Sequence, residues 1–333
     1  MSLLPETMSR PFFYCSDLSR EAAEGSFGTA SIGDVWLLVE YREGWGAHAF
    51  EESTLSAQVK RHLGNFCKLV PRSRLLFIKQ ERLRRDALSC FIVRCREGSP
   101  SIVRFTFSSH EELLNLDLAA ANAAAGDSLA GGVRTDEPLY LVCTHGKRDK
   151  CCAKFGYALY KSLREGATAE RERVWQSSHV GGDRFAANLI CFPHGLFYAH
   201  VTEEAGRTIL REYEHGRRLV LAGYRGRTCY SYPVQAAEFF IRRETGINAI
   251  GELRYRRHER TGEKSWLVKF SEAGAGKIHE AHVAARTSEF HNYITCNSTG
   301  EQRVVQYALE SYRATDNDAP PSPPSQPQPA PVE

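Results

Sequence analysis

Apolar and polar positions follow one order twice along the chain, and the first copy lies between residues 35 and 120. Apolar runs that predict buried strands lie at 35–39, 74–78, 88–93 and 102–107, and helical spacing lies at 51–63 and 111–120. The predicted order is therefore one strand, a helix, three strands and a second helix.

The same order recurs from residue 138. Strands are predicted at 139–142, 174–178, 188–192 and 196–201, and helices at 153–163 and 203–214. Counterparts are separated by roughly 100 residues, a spacing that suits two similar small domains. We therefore predict an α/β fold with two thioredoxin-like units, each of the order β-α-β-β-β-α.

The remaining segments predict connections and a C-terminal extension. Residues 119–138 are rich in Ala, Gly and Asp, which is typical of a linker. After an amphipathic helix at 234–243, short alternating strands at 253–255, 266–270 and 293–295 predict a small C-terminal β appendage. The tail, 319–333, alternates Pro with Ser, Gln and Ala, and is expected to be disordered. The predicted domains are 10–122, 136–222 and 223–312, followed by a Pro-rich tail at 315–333.

Composition narrows the classes of protein. The 333 residues are 42% hydrophobic and 25% charged, which is typical of a soluble globular protein, and the net charge of +3 gives no reason to expect a nucleic-acid partner. The start lacks the basic and then apolar pattern of a signal peptide, and no apolar run approaches the ~20 residues of a membrane helix. We expect a cytoplasmic protein without a membrane partner.

The chain contains ten cysteines. In a reducing compartment they are not expected to form a disulfide framework, so each is either a buried small side chain or a ligand. Cys143 ends a predicted strand, and Cys151 and Cys152 begin the following helix, at the sheet edge where α/β proteins place their sites. The helix N-terminus and nearby Lys147 and Arg148 favour thiolates there.

A second loop follows the neighbouring strand and contains His179, Gly181, Gly182, Asp183 and Arg184. Adjacent glycines allow a loop to fold tightly around a ligand. Two thiolates from one loop and an imidazole from the other favour zinc or an iron–sulfur centre.

The chain resembles the sucrase/ferredoxin-like family, whose central domain looks like the thioredoxin-like [2Fe–2S] ferredoxins. The resemblance covers roughly residues 10–310. The residues that carry it lie at 13–17, 28–31, 143–152, 178–188 and 229–238. It implies that Cys143 and Cys152 match two cluster cysteines separated by eight residues. His179 matches the first histidine of a His-x-Gly-Gly-His motif, and Asp183 stands at the position of the second.

The fourth ligand stays open at this point, and so does the choice between Cys151 and Cys152 as the second thiolate. Asp183 has the right spacing but is a harder ligand than iron–sulfur centres prefer, and Cys151, Cys191, His194 or an open position are the alternatives. His145 either orients a ligand or is a solvated loop residue, and we favour the latter.

Arg184 either balances cluster charge and meets a redox partner or pairs with Asp183. Most of the scattered cysteines are expected in the core; these are Cys15, Cys67, Cys90, Cys95, Cys229 and Cys296.

We therefore predict a one-electron carrier with a [2Fe–2S] cluster, served by a separate reductase and acceptor because no Gly-x-Gly-x-x-Gly nucleotide loop is present. It is not expected to be an enzyme in its own right. The alternatives are a thiol–disulfide oxidoreductase and a structural zinc protein. Sucrase activity needs two carboxyls facing each other across a cleft, and the sequence identifies no such pair. The N-terminal half is expected to be a scaffold without a cluster.

Overall fold

The computed structural model describes residues 12–81, 87–123, 131–165 and 172–316, so the predicted disordered tail lies outside the described residues. The described residues form a ten-stranded mixed sheet and a four-stranded antiparallel sheet, with helices packed on them. The protein is therefore a mixed α/β fold.

The N-terminal half follows the predicted order. Its elements are α1 (Cys15–Glu21), β1 (Val35–Glu40), α2 (Ala57–Leu69), β2 (Ser73–Lys79), β3 (Leu88–Arg94), β4 (Ser101–Phe107), a 3₁₀ helix (His110–Asn115) and α3 (Leu118–Ala123). The helix predicted at 51–63 begins later, because the Ser56 hydroxyl accepts the N–H of Val59 at 3.3 Å and caps α2. The helix predicted at 111–120 is divided between the 3₁₀ helix and α3.

The second half repeats this order. Its elements are β5 (Val133–Thr135), β6 (Leu139–Cys143), a π-helical turn (Cys152–Gly156), α4 (Tyr157–Arg164), β7 (Val174–Ser177), a 3₁₀ helix (Asp183–Phe185), β8 (Leu189–Phe192), β9 (Leu196–Tyr198), α5 (Glu203–Gly216), β10 (Tyr224–Arg227) and α6 (Tyr232–Thr245). The segment predicted as a linker contains part of α3 and also β5, which pairs with β4 at the edge of the sheet.

The strand order of the large sheet is β10-β9-β8-β6-β7-β2-β1-β3-β4-β5. β1 pairs parallel with β2, and β6 pairs parallel with β7. In each half the next two strands are added antiparallel, so β2-β1-β3-β4 and β7-β6-β8-β9 have the same arrangement. The halves meet through antiparallel pairing of β2 with β7, where Ile78 lies opposite Ser177. The two repeats therefore share one continuous sheet.

One face of this sheet has a hydrophobic core common to both halves. Trp36 and Leu38 of β1 and Leu141 and Cys143 of β6 all belong to it. The alternate residues of β6, including Val142, face a separate core beneath α4 and α5. The side chain of Cys143 consequently points to the shared face.

The C-terminal sheet is larger than the predicted appendage. It consists of β11 (Leu253–Arg260), β12 (Ser265–Glu272), β13 (Lys277–Asn292) and β14 (Gln302–Asp316), and α6 packs against it through Phe240 and Ile241. The strand predicted at 293–295 is wrong, because these residues lie in the turn between β13 and β14. No helix among the described residues is long and apolar enough to cross a membrane.

Candidate metal centre

The first predicted loop brings two thiols together at the carboxyl end of β6. The Sγ atoms of Cys143 and Cys152 are 3.6 Å apart, and both side chains are buried. Cys152 begins the π-helical turn, a local widening of the helix that often occurs at functional sites. A Cβ atom at Gly156 would overlap the carbonyl oxygen of Cys143, so glycine lets this turn pack directly on the strand end.

The second loop lies beside the first because β6 and β7 are parallel and their carboxyl ends share one edge. Gly181 and Gly182 have φ values of +90° and +82°, which other residues rarely adopt. Buried Arg225 holds this loop from behind, donating to the carbonyl of Gly181 at 3.0 Å and to Asn188 Oδ1 at 2.7 Å. This tight turn places Asp183 at the start of its 3₁₀ helix.

Asp183 and His179 form a second pair of side chains facing the thiols. Asp183 Oδ1 lies 3.0 Å from His179 Nδ1 and 3.8 Å from Cys152 Sγ. The Nδ1 atom of His179 is buried, and its contact with Asp183 does not have hydrogen-bond geometry. Two sulfurs, one imidazole nitrogen and one carboxylate therefore lie in a continuous chain of contacts between the two loops.

The proton positions in this site follow from its contacts. The hydrogen bond with Cys152 holds the pKa of Cys143 well below its usual value, and the same contact raises the pKa of Cys152. Burial lowers the pKa of His179, but Asp183 and the Cys143 thiolate outweigh it and raise that pKa to about 9. The metal-free site therefore favours a thiolate at Cys143 beside an imidazolium.

His145 is buried, with 2% of its surface exposed, so the favoured expectation of a solvated loop residue is wrong. Its Nδ1 accepts the backbone N–H of His179 at 3.1 Å, and its Nε2 contacts the carbonyl oxygen of Gly46 at 2.6 Å. Since Nδ1 accepts, the proton of the neutral ring is on Nε2 and is donated to Gly46. Burial lowers the pKa of His145, which keeps the ring neutral. His145 therefore orients the backbone that carries His179.

The other candidates lie elsewhere. Arg184 Nε donates to Glu24 at 2.7 Å, so of the two readings left open, the pairing of Arg184 with Asp183 is not formed. Cys191 belongs to the core on the opposite face of the sheet from Cys143. His194 Nδ1 is hydrogen-bonded to the hydroxyl of Tyr213 at 2.5 Å. Neither Cys191 nor His194 is brought to the predicted site.

A second cluster of cysteines lies beside the first. Cys151 Sγ is 3.6 Å from Cys15 Sγ and 3.2 Å from Cys296 Sγ, and the last two are 3.5 Å apart. Together with a carboxylate oxygen of Asp149, these ligand atoms all lie within 4.8 Å of one another. Cys15 and Cys296 belong to the shared hydrophobic core, as expected, but their contact with Cys151 and Asp149 was not predicted. Cys151 contributes to this cluster and not to the fourth position of the first.

Backbone amides organise the second cluster. The two oxygens of Asp149 accept the N–H groups of Cys151 at 2.8 Å and Cys296 at 2.7 Å. The N–H groups of Cys15 and Ser16 point at Cys296 Sγ and Cys151 Sγ, both at 3.4 Å. Hydrogen bonds from the other two thiols hold the pKa of Cys296 well below its usual value. This buried group of three thiols and a carboxylate could hold a metal ion.

Known proteins resemble part of this chain. Over 77 residues it is 35% identical to "Altered inheritance of mitochondria protein 32" of Meyerozyma guilliermondii, a match to 21% of this chain and 27% of that protein. The chain thus spans about a quarter of the length of this relative. No solved structure matches the chain.

A family model matches residues 26–226, which include the first site but neither Cys15 nor Cys296. Since more than half of the residues are matched, the chain belongs to the sucrase/ferredoxin-like family.

Proposed function

We propose that this protein binds a [2Fe–2S] cluster through Cys143, Cys152, His179 and Asp183 and serves as a one-electron carrier. The observation that carries the proposal is the pairing of ligands: two thiols 3.6 Å apart face an imidazole and a carboxylate 3.0 Å apart. Mixed clusters in which one iron has two cysteines and the other has nitrogen ligands use a comparable division. The donors present fit this cofactor, with a carboxylate in place of one nitrogen.

Burial and charge also support the proposal. Arg225 is fully buried and interacts electrostatically with Asp183 and Cys143, so its positive charge offsets the negative charge of the ligands. The side chain of His179 is 27% exposed and lines a cleft of about 290 Å³, together with His48 and Phe50. When bound, the cluster would supply reversible one-electron transfer. A redox partner would approach on the His179 side.

The repeated strand order supports a finer description of the fold. Each half has the β-α-β-β-β-α order and sheet arrangement expected of a thioredoxin-like unit. The loops after β1 and β2, at 41–56 and 80–87, contain no cysteine. The N-terminal unit is therefore a scaffold, and the cluster belongs to the second unit alone.

Two alternatives use the same site. A thiol–disulfide oxidoreductase must expose one sulfur to its substrate, whereas Cys143 is 1% and Cys152 is 0% exposed, which speaks against exchange. A zinc ion is the other occupant that two thiolates and an imidazole favour.

Anaerobic purification followed by ultraviolet–visible spectroscopy and iron and sulfide analysis tests the proposal. Broad visible absorption that dithionite bleaches, with two irons and two sulfides per chain, is expected. A colourless protein after cluster reconstitution, with zinc bound by Cys143 and Cys152, would overturn it.

Asp183→Ala tests the carboxylate ligand, and Cys191→Ala is the matched control because that thiol is buried outside both sites. The Asp183 variant should show shifted bands or lose iron, and the control should resemble the parent. Bands and iron content that stay unchanged in Asp183→Ala would exclude the carboxylate.

A further inference from the structure

We propose that Cys15, Cys151 and Cys296, with Asp149, form a second metal site that binds one Zn²⁺ ion and cross-links three distant segments of the chain. This site is separate from the proposed iron–sulfur site and does not depend on it. Its ligands come from α1, from the loop after β6 and from the turn between β13 and β14.

Sulfur spacing identifies a single ion. Tetrahedral zinc with Zn–S bonds of about 2.3 Å places its sulfurs about 3.8 Å apart. The three S–S distances of 3.2, 3.5 and 3.6 Å are all shorter than that edge, the first by about 0.6 Å and the others by about 0.2–0.3 Å, so the three sulfurs would move slightly apart around a bound ion. A [4Fe–4S] cluster spreads its cysteines over separate irons, and each iron of a [2Fe–2S] cluster accepts two protein ligands. Three thiols in mutual contact therefore fit one metal ion and neither type of cluster.

The carboxylate completes a four-ligand set. Asp149 Oδ1 and Oδ2 lie 4.0 and 3.9 Å from Cys15 Sγ, and each oxygen keeps a lone pair after accepting one amide. Cys₃ with one oxygen is within the range of ligand sets that zinc accepts. The bonds from Asp149 to the amides of Cys151 and Cys296 also fix the segments that carry two of the sulfurs.

The thiolate state that zinc needs is supported from the backbone. Amide donors point at Cys151 Sγ and Cys296 Sγ, and such charge-assisted bonds are stronger to a thiolate than to a thiol. Zinc binding would convert the thiols to thiolates and release their protons to solvent.

A zinc ion in this second site would also stabilise the loop of the first site. Cys15 and Cys296 are 281 positions apart in sequence, and Cys151 directly precedes Cys152 of the first site. One bound ion would hold α1 and the β13–β14 turn against the loop that presents Cys152. The N- and C-terminal segments outside the matched family region thus support the loop of the first site.

X-ray absorption at the zinc edge tests the site in the unaltered protein, so that it does not depend on a variant that folds. Reduced full-length protein from zinc-containing medium should hold one Zn²⁺ that survives gel filtration. Its first shell should contain three sulfurs at about 2.3 Å and one oxygen at about 2.0–2.2 Å. No retained zinc, a shell of nitrogen and oxygen alone, or a Cys151–Cys296 disulfide in the mass spectrum would overturn the proposal.

Two substitutions assign the zinc. Cys15→Ala and Cys143→Ala each remove a buried thiol, one from each cluster. Cys15→Ala should lose the retained zinc, whereas Cys143→Ala should keep it. The opposite result would place the zinc in the first site and overturn the second. Circular dichroism confirms folding; if Cys15→Ala does not fold, the three-sulfur shell of the unaltered protein decides.

Discussion

The two cysteine clusters lie side by side but are assembled in different ways. The first site takes all four side chains from two loops of one repeat, with Cys143 and Cys152 nine positions apart and Cys152 and Asp183 thirty-one apart. The second joins residues 136, 145 and 281 positions apart. The side chains of the first site therefore come from one repeat, whereas those of the second come together only when the two ends of the chain are packed against that repeat.

This difference separates two roles for similar chemistry. The first site has a partly exposed histidine at a cleft, where the redox partner of the proposed carrier would approach. The second is closed, and its most accessible sulfur, Cys296, is 8% exposed. Closed sites with a full set of protein ligands are typical of structural metal ions.

The largest expected effect is a loss of one metal without the other. Cys143→Ala should abolish the visible absorption and the iron of the first site, because the remaining three groups include a single thiolate. Iron and zinc are measured on one anaerobic sample by mass spectrometry, and the zinc content should stay at one ion per chain. If both metals disappear together while the protein stays folded, the clusters do not act as separate sites.

The second largest expected effect is a loss of thermal stability when the zinc is removed. A ligand present at about 1,000 times its dissociation constant contributes about 4 kcal/mol, so a strong zinc chelator should lower Tm by roughly 8 °C. Differential scanning calorimetry of the parent and of Cys296→Ala, with and without chelator, measures this. The variant should start at the lower Tm and respond little. An equal response of both proteins would contradict a cross-linking role for this site.

A substitution that destabilises the fold far from both clusters is a control for the metal-site variants. Glu238 on α6 pairs with Arg242 at 3.0 Å, and both side chains are fully buried. Glu238→Gln leaves the guanidinium without its counter-charge and should cost roughly 3 kcal/mol of unfolding free energy, measured by urea denaturation. Glu244→Gln, at an exposed position on the same helix, should change it by less than about 0.5 kcal/mol.

Metal content should not change in either of these variants. Loss of zinc from folded Glu238→Gln would show that the second site responds to general destabilisation, and the distinction between the clusters would weaken.

The smallest expected effect is a decrease of folding stability at acidic pH. Burial, with Arg227 and Arg217 nearby, lowers the pKa of His194 to about 3, whereas the unfolded chain titrates near 6.5. The native state therefore keeps this ring neutral, so stability is full above about pH 6.5 and falls as the pH drops toward 3. The loss between pH 7 and pH 5 should be about 2 kcal/mol smaller in His194→Gln, measured by urea titration. An identical pH profile in both proteins would contradict this prediction. The metal content should be the same in both proteins, because His194 lies outside both sites.

Sequence patterns predicted the structural features that depend on residues close together in the chain. The apolar run at 35–39 corresponds to β1, and the repeated order of elements is present in both halves. The start of α2 was misplaced because one capping hydroxyl on Ser56 decides it. β13 was missed because its inward positions include the small residue Ala281, which gives weak hydrophobic alternation.

The same distinction between local and remote contacts explains which site residues the sequence predicted. Loop position and spacing led to Cys143, Cys152, His179 and Asp183, and the structure brings these four together. Nothing local marks Cys15 or Cys296 as ligands, because their contact depends on how α1 and the β13–β14 turn pack against the large sheet. Arg225 was missed for the same reason: its partners Thr29 and Gly181 belong to remote segments.

The pairing of β2 with β7 limits how the protein can be divided. A fragment restricted to 136–222 would leave β7 as an edge strand, with main-chain groups of Ser177 and Gln176 open to any other extended chain. Such edges promote aggregation, and the fragment would also lack Cys15 and Cys296. Truncation studies should therefore keep the N-terminal half, which shields a hydrogen-bonding edge that the second half cannot cover by itself.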